Sequence, residues 1–185
     1  ITAYAKDGSV KSASCKVTVP YEIKYVMNHG TNAKANKTTY YNQTVTLQKP
    51  SRKGYAFKGW HTDSRYKHQI KTIKKGTAKN YTVYAKWSKI KLKKASISSI
   101  IRLGKTQMYV HMKKSSGAKG YVIKYSTNKK FKKAKYLYTS SSGTAVKKLS
   151  KNKKYYVKVR AYTVDSAGKK VFGAYSKTKT KSLKK

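Results

Sequence analysis

Apolar and polar residues alternate with a period of two along most of this chain. No 3.6-residue period survives beyond a turn or two, so the pattern predicts strands throughout. In segment 1–20 the runs ITAYA and SASCKVTV flank KDGS at Lys6 to Ser9. Asp-Gly between alternating runs predicts a hairpin. In its second strand Ala13, Cys15, Val17 and Val19 share one face, and Ser12, Ser14, Lys16 and Thr18 the other. A lone hairpin is marginal in water, so its partner strands are expected upstream of Ile1, and the chain reads as a piece of a longer one. Segment 21–89 carries YEIKYVMNHG, then GYAFKGW at Gly54 to Trp60, then YTVYAKW at Tyr81 to Trp87. Alternation puts Tyr55, Phe57 and Trp60 near a core. It also puts Tyr81, Val83 and Ala85 on one face, opposite Thr82, Tyr84 and Lys86. Segment 90–185 has strand-like runs at 107–112, 121–126, 135–139, 144–149, 155–163 and 170–176. Six such runs in a segment of this length, close to the roughly seven short strands of a sandwich, predict a β-sandwich.

Three resemblances follow from these strings. ITAYAKDGSVKSASCKVTV is similar to the last hairpin of group 2 bacterial Ig-like domains and covers only that end of such a domain. GYAFKGW and YTVYAKW, with the opening YEIKYV, resemble the internalin B-repeat family of bacterial surface proteins across nearly the whole module. That resemblance implies a small β-grasp-like fold used in tandem on cell surfaces. This copy departs from it in placing Lys rather than Asp or Gly at several turns. In LSKNKKYYVKVRAY, Leu149 precedes Tyr155 by six residues, and Val157, Val159 and Ala161 then alternate inward. This resembles the tyrosine corner and following strand of fibronectin type III domains, and GYVIKYST resembles their third strand. Met112 stands where many such domains place a core tryptophan. The expected architecture is therefore mainly β: an Ig-like hairpin remnant at 1–20, a β-grasp-like B-repeat at 21–89 and a fibronectin III-like sandwich at 90–185.

Composition changes this picture in one respect, which is charge. The 185 residues include 46 Lys+Arg and 4 Asp+Glu, a formal charge of +42. The basic residues run from Lys6 to Lys185, so they form no tail. A disordered polycation would lack aromatic residues, whereas this chain has 18 tyrosines, whose rings build a core while their hydroxyls stay wet. Only Arg52, Arg65, Arg102 and Arg160 are arginine. Arg recognises phosphates and bases bidentately and Lys is a hydrated point charge. The bias favours diffuse attraction to a polyanion over specific nucleic-acid reading. No apolar run approaches the ~18 residues of a membrane span, and the single cysteine, Cys15, allows no internal disulfide.

Little in the chain points to catalysis. The four acids are Asp7, Glu22, Asp63 and Asp165, spread over three segments, and general acid–base chemistry needs two placed together. Asp7 in KDGS and Asp165 in VDSAG read as turn residues. His29, His61, His68 and His111 lack the converging partners of a zinc site. His29 in NHG reads as a turn residue and His111 as outward-facing. Cys15 lies on the apolar face of its hairpin, where a free thiol packs as a small hydrophobe. No GxSxG, GxxxxGK[ST], HExxH, DxDxDG or GxGxxG string occurs. Asn36, Asn42 and Asn80 open Asn-x-Thr triplets, to which the bacterial resemblance gives little weight as glycosylation sites.

Exposed aromatics give a better lead. With Val157 and Val159 pointing inward, Tyr156, Lys158, Arg160 and Tyr162 point outward. Two tyrosines flanking two cations could stack on sugars or bases, or could simply cover a sheet face; the second reading is preferred. The sequence as a whole reads as non-catalytic modules of a bacterial cell-surface or secreted protein, without cofactor or metal. They would space or display an upstream region and attach it non-covalently to anionic wall polymers or glycans. The chain ends without an LPxTG-like sorting string. Other readings are an adhesin or carbohydrate-binding module engaging a host protein or glycan, and accessory domains of a secreted enzyme.

Overall fold

The computed structural model describes residues 2–4, 10–12 and 18–184. Every element in it is a strand. β1 (Thr2–Tyr4) and β2 (Val10–Ser12) form an antiparallel hairpin in which Thr2 faces Ser12 and Tyr4 faces Val10. The KDGS turn with Asp7, the predicted face of Ala13 and Val17, and Cys15 lie outside the described residues. The chain divides into two compact units, 1–50 with 58–86, and 51–57 with 87–185.

The first unit is built on a mixed sheet. Its strands are β3 (Tyr21–Val26), β4 (Thr39–Tyr40), β7 (Gln69–Ile70) and the greater part of β6 (Tyr55–His61) and β9 (Tyr81–Lys89). They lie in the order β4-β3-β9-β6-β7. β3 runs parallel to β9, with Ile23 opposite Tyr81 and Tyr25 opposite Val83. A second, two-stranded sheet pairs β5 (Val45–Thr46) with β8 (Thr72–Ile73). Ile23, Tyr40, Val45, Trp60, Ile73, Val83 and Ala85 are buried as its core. Of the inward face expected for the last strand, Val83 and Ala85 are buried but Tyr81 stays half-exposed, as do Thr82, Tyr84 and Lys86 on the other face.

β6 departs from simple alternation. Gly59 sits at φ +124°, a conformation that suits glycine. It shifts the phase so that Trp60 and His61, consecutive residues, are both buried, while Tyr55 and Phe57 remain half-exposed. A Cβ at Gly59 would run into the Gln69 side chain. The Trp60 indole N–H donates to the Gln48 carbonyl at 3.0 Å. Asn36 is buried too and fully used: its carboxamide accepts from the Gln48 N–H at 2.7 Å and donates to Asn32 and to the Gln48 carbonyl.

The sandwich expected from the sequence is present in the second unit. One sheet has the order β10 (Ile97–Arg102), β11 (Met108–Met112), β14 (Gly143–Val146). The other has the order β13 (Lys135–Thr139), β12 (Gly120–Ser126), β15 (Lys154–Val164), β16 (Lys170–Phe172), with β17 (Lys179–Ser182) also pairing along β15. All these pairs are antiparallel. One core joins the inward residues of both sheets, among them Met108, Val110, Met112 and Val146 against Ile123, Val157, Val159 and Ala161. Met112 is buried. At the start of β15 the Tyr155 hydroxyl accepts the Ser150 N–H at 2.8 Å, which closes a tyrosine corner. Two strands, β10 and β17, lie outside the runs that alternation marks.

Candidate functional site: a cation–aromatic face

β15 sets the site. Its inward residues Tyr155, Val157, Val159 and Ala161 are buried, and Tyr156, Lys158, Arg160 and Tyr162 stand half-exposed on the outer face. The four residues singled out in the sequence are thus brought to one face. Antiparallel register fixes their neighbours. Lys158 is opposite Lys124, Arg160 opposite Val122, and Tyr162 opposite Gly120. On the far side of β12, Lys124 faces Tyr136 and Val122 faces Tyr138. Beyond β15, Tyr162 faces Phe172. Tyr162 lies over Gly120, because a Cβ built there would come within 2.8 Å of its ring.

Cations and rings interleave across this face. The Arg160 guanidinium lies 3.9 Å from the Phe172 ring centre and 4.7 Å from that of Tyr175. The Lys158 ammonium is 4.5 Å from Phe131 and 4.8 Å from Tyr175. Lys124 sits over Phe131 and Tyr136 at 5.6 and 5.4 Å. Lys170 covers Tyr138 and Tyr162 at 4.9 and 5.6 Å, and Lys154 covers Tyr156 at 5.9 Å. Contacts of this length are attractive through the ring quadrupole, by about 0.5–1 kcal/mol each where exposed. Phe131 reaches its place from a left-handed turn at φ +57°, closed by its N–H to the Asn128 carbonyl. Tyr136, Tyr138 and Phe172 remain exposed. Lys124, Phe131, Tyr138, Lys170, Phe172 and Tyr175 are the part sequence reasoning did not reach. The parity of GYVIKYS holds the only available signal, for Lys124; the others depend on register between distant segments.

The face has no counter-charge. Among the described residues of the second unit the sole acid is Asp165, and it is buried in its turn. Its carboxylate accepts the N–H groups of Gly54, Ala167 and Lys169 at 2.8–2.9 Å. Burial pushes its pKa up, but those three bonds, with the Lys169 charge, outweigh burial and hold it below the ordinary value. Asp63 is also engaged by backbone. It accepts from the Lys67 and His68 N–H groups, which hold its pKa at about 2. No lysine forms an ion pair with a carboxylate among the described residues; the pair found there is His68 Nδ1 to Asp63 at 3.3 Å.

The remaining candidates stay apart. His29 is in a turn with φ +66°. His111 lies tilted against Tyr109 with ring centres 4.5 Å apart. His61 is buried edge-on to Tyr66, and burial, with Lys86 nearby, lowers its pKa. Among the described residues no three His, Cys, Asp or Glu groups gather as a metal site would require. A cleft of about 410 Å³ beside Tyr125, Leu149 and Tyr155 is rimmed by lysines and has no His, Cys, Asp or Glu in its lining. No helix of the described residues is long and apolar enough to cross a membrane.

Fold and site together describe a two-sheet antiparallel β-sandwich and a smaller mixed-sheet unit. Residues 21–86 match the family model of the Listeria-Bacteroides repeat domain. Among solved structures the chain is similar to the fn3 domain of human contactin 1, at 18% identity over 53% of this chain and 84% of that one, TM-score 0.43. It is similar to the FN5 domain of Drosophila Lar, at 18% identity over 49% and 95%, TM-score 0.40. It is also similar to the FN1-FN3 domains of chicken CNTN1, at 16% identity over 100% and 76%, TM-score 0.45. No curated protein matches the chain. The repeat match and the sandwich fit a non-catalytic accessory module.

Proposed function

We propose that this chain is a set of non-catalytic modules of a bacterial surface or secreted protein, and that its lysines hold that protein non-covalently to anionic wall polymers or glycans. The observation that carries this reading is that no described lysine is ion-paired to a carboxylate, in a chain of formal charge +42. A lysine coat that served only solubility would be expected to mix both signs of charge. Here Asp63 and Asp165 are both turned onto backbone N–H groups, so the coat is left to external anions. The repeat match at 21–86 supports a place at the bacterial surface. The finer reading of that module as an internalin B-repeat, of 1–20 as the end of an Ig-like domain, and of the boundaries at 20 and 89 belongs to the same proposal.

Binding to isolated cell walls should be strong at ~0.05 M salt and fall steeply by ~0.5 M, as the screening length shrinks from more than ~10 Å to less than ~5 Å. Binding indifferent to salt, or none at low salt, would overturn the proposal. The adhesin reading has one observation in its favour, the exposed Tyr136 and Tyr138 beside the half-exposed Tyr156 and Tyr162. It would instead show glycan binding that survives moderate salt and is lost in Tyr156→Ala.

A further inference from the structure

The outer face of β12 and β15 places like charges where a sheet gains from opposite ones. Lys124 and Lys158 are directly opposed in register, and directly opposed like charges destabilise a sheet. Both ammonium groups lean over the same ring, Phe131. Arg160 follows two residues along, its guanidinium lying against Phe172 and Tyr175. The Arg160 Nε is buried and has no hydrogen-bond partner. Lys154 and Lys170 extend the row at its two ends. Each ring named here has a cation over it, so the face presents ordered charge more than free ring surface. Holding long cationic side chains against rings removes rotamer freedom that binding would otherwise have to remove.

We infer that this face is a binding strip for a linear polyanion, a polymer carrying phosphate or carboxylate groups laid along β15 from Lys154 to Lys170. The inference rests on the polyanion reading above and sharpens it, because it assigns the attachment to one strip rather than to the whole coat. Charge complementarity selects the occupant. Outward positions on β15 recur at two-residue steps of about 6.6 Å; Lys154, Lys158 and Arg160 hold three of them, with Tyr156 and Tyr162 between and beyond, and the row has no carboxylate of its own among the described residues. Arg160, one of four arginines in the chain, lies in the middle, and a guanidinium can donate two parallel N–H bonds to one oxyanion. The polymer anions would sit between Lys124 and Lys158 and relieve their mutual repulsion.

The test compares two triple variants of the full chain. One, K124Q/K158Q/R160Q, empties the strip. The other, K105Q/K129Q/K147Q, removes three exposed lysines of the same unit from elsewhere. Linear polyphosphate and polygalacturonate serve as probes, with orthophosphate as the monomeric control, all at ~0.15 M salt. The strip variant should lose at least about tenfold in affinity for the polymers, and the control variant only a small fraction of that. Phosphate and carboxylate arms then tell which anion the strip prefers. Equal losses in both variants would overturn the strip and leave the coat reading intact. No polymer binding by the unaltered chain would overturn both. If the strip variant folds poorly, lysine acylation of the unaltered chain with and without polyphosphate decides the same question. Lys124, Lys158 and Lys170 should be protected, and protection no greater than at Lys105 and Lys129 would sink the inference.

Discussion

Asp165 shows how one residue can be half legible. The string VDSAG marks a turn, and the carboxylate does bond the turn's own Ala167 and Lys169 N–H groups. The third bond, to the Gly54 N–H at 2.8 Å, spans 111 positions and has no trace in local sequence. Removing the carboxylate leaves three donors short of an acceptor, so Asp165→Ala should destabilise the second unit by about 1–3 kcal/mol at neutral pH. The sign with pH follows from the depressed pKa. The contribution is complete above the ordinary carboxylate range and fades as pH falls through it toward the lower folded value. Denaturation of wild type and Asp165→Ala should therefore differ clearly at pH 7 and converge in strong acid. A gap that persists unchanged to low pH would mean that the carboxylate charge is not what stabilises the turn. His61 teaches the reverse lesson. Its string, GWHTD, gives no reason for burial, which arises because Gly59 shifts the strand's phase.

At the level of elements, legibility tracks how much apolar alternation each strand carries. β15 is readable almost whole because Tyr155, Val157, Val159 and Ala161 fill one core face. β10 is not, since a register shift between Ile97 and Ser99 breaks its alternation. β17 reads KTKS and has no apolar face; it is a strand because its backbone pairs with Lys154 to Val157. The same limit hides most of the cation–aromatic face, where the neighbours of Arg160 come from segments joined only by pairing. Gly120 is the point at which that pairing can be probed. A methyl group there would lie 2.5 Å from the Thr139 carbonyl and 2.8 Å from the Tyr162 ring. Gly120→Ala should therefore cost about 1–3 kcal/mol through overpacking. It should also shift the ring resonances of Tyr162 and of Phe172, 6.2 Å away. A silent substitution would show that the ring does not rest on this strand.

Charge belongs to the scale of the whole molecule, since no single lysine explains it. In a protein whose surface ions are paired, added salt weakens those pairs and tends to lower stability. Here acids number four against 46 bases, and no described lysine pairs with a carboxylate. The balance at low salt is then dominated by self-repulsion, which disfavours the compact state. Sodium chloride should raise the unfolding midpoints between ~0.02 and ~0.3 M, over which the screening length drops from about 20 Å to about 6 Å. The rise should be steepest at the low end, where lysines on neighbouring strands still sense one another. The opposed Lys124 and Lys158 make this testable locally. K124Q/K158Q should flatten the salt dependence of the second unit's midpoint, because the repulsion it removes is the screened part, whereas the ring contacts it loses, worth about 0.5–1 kcal/mol each, lower the midpoint at every salt concentration. Thermal unfolding across a salt series decides it. Midpoints that fall with added chloride would mean that hidden ion pairs, not repulsion, govern the fold, and the coat would no longer require an external anion.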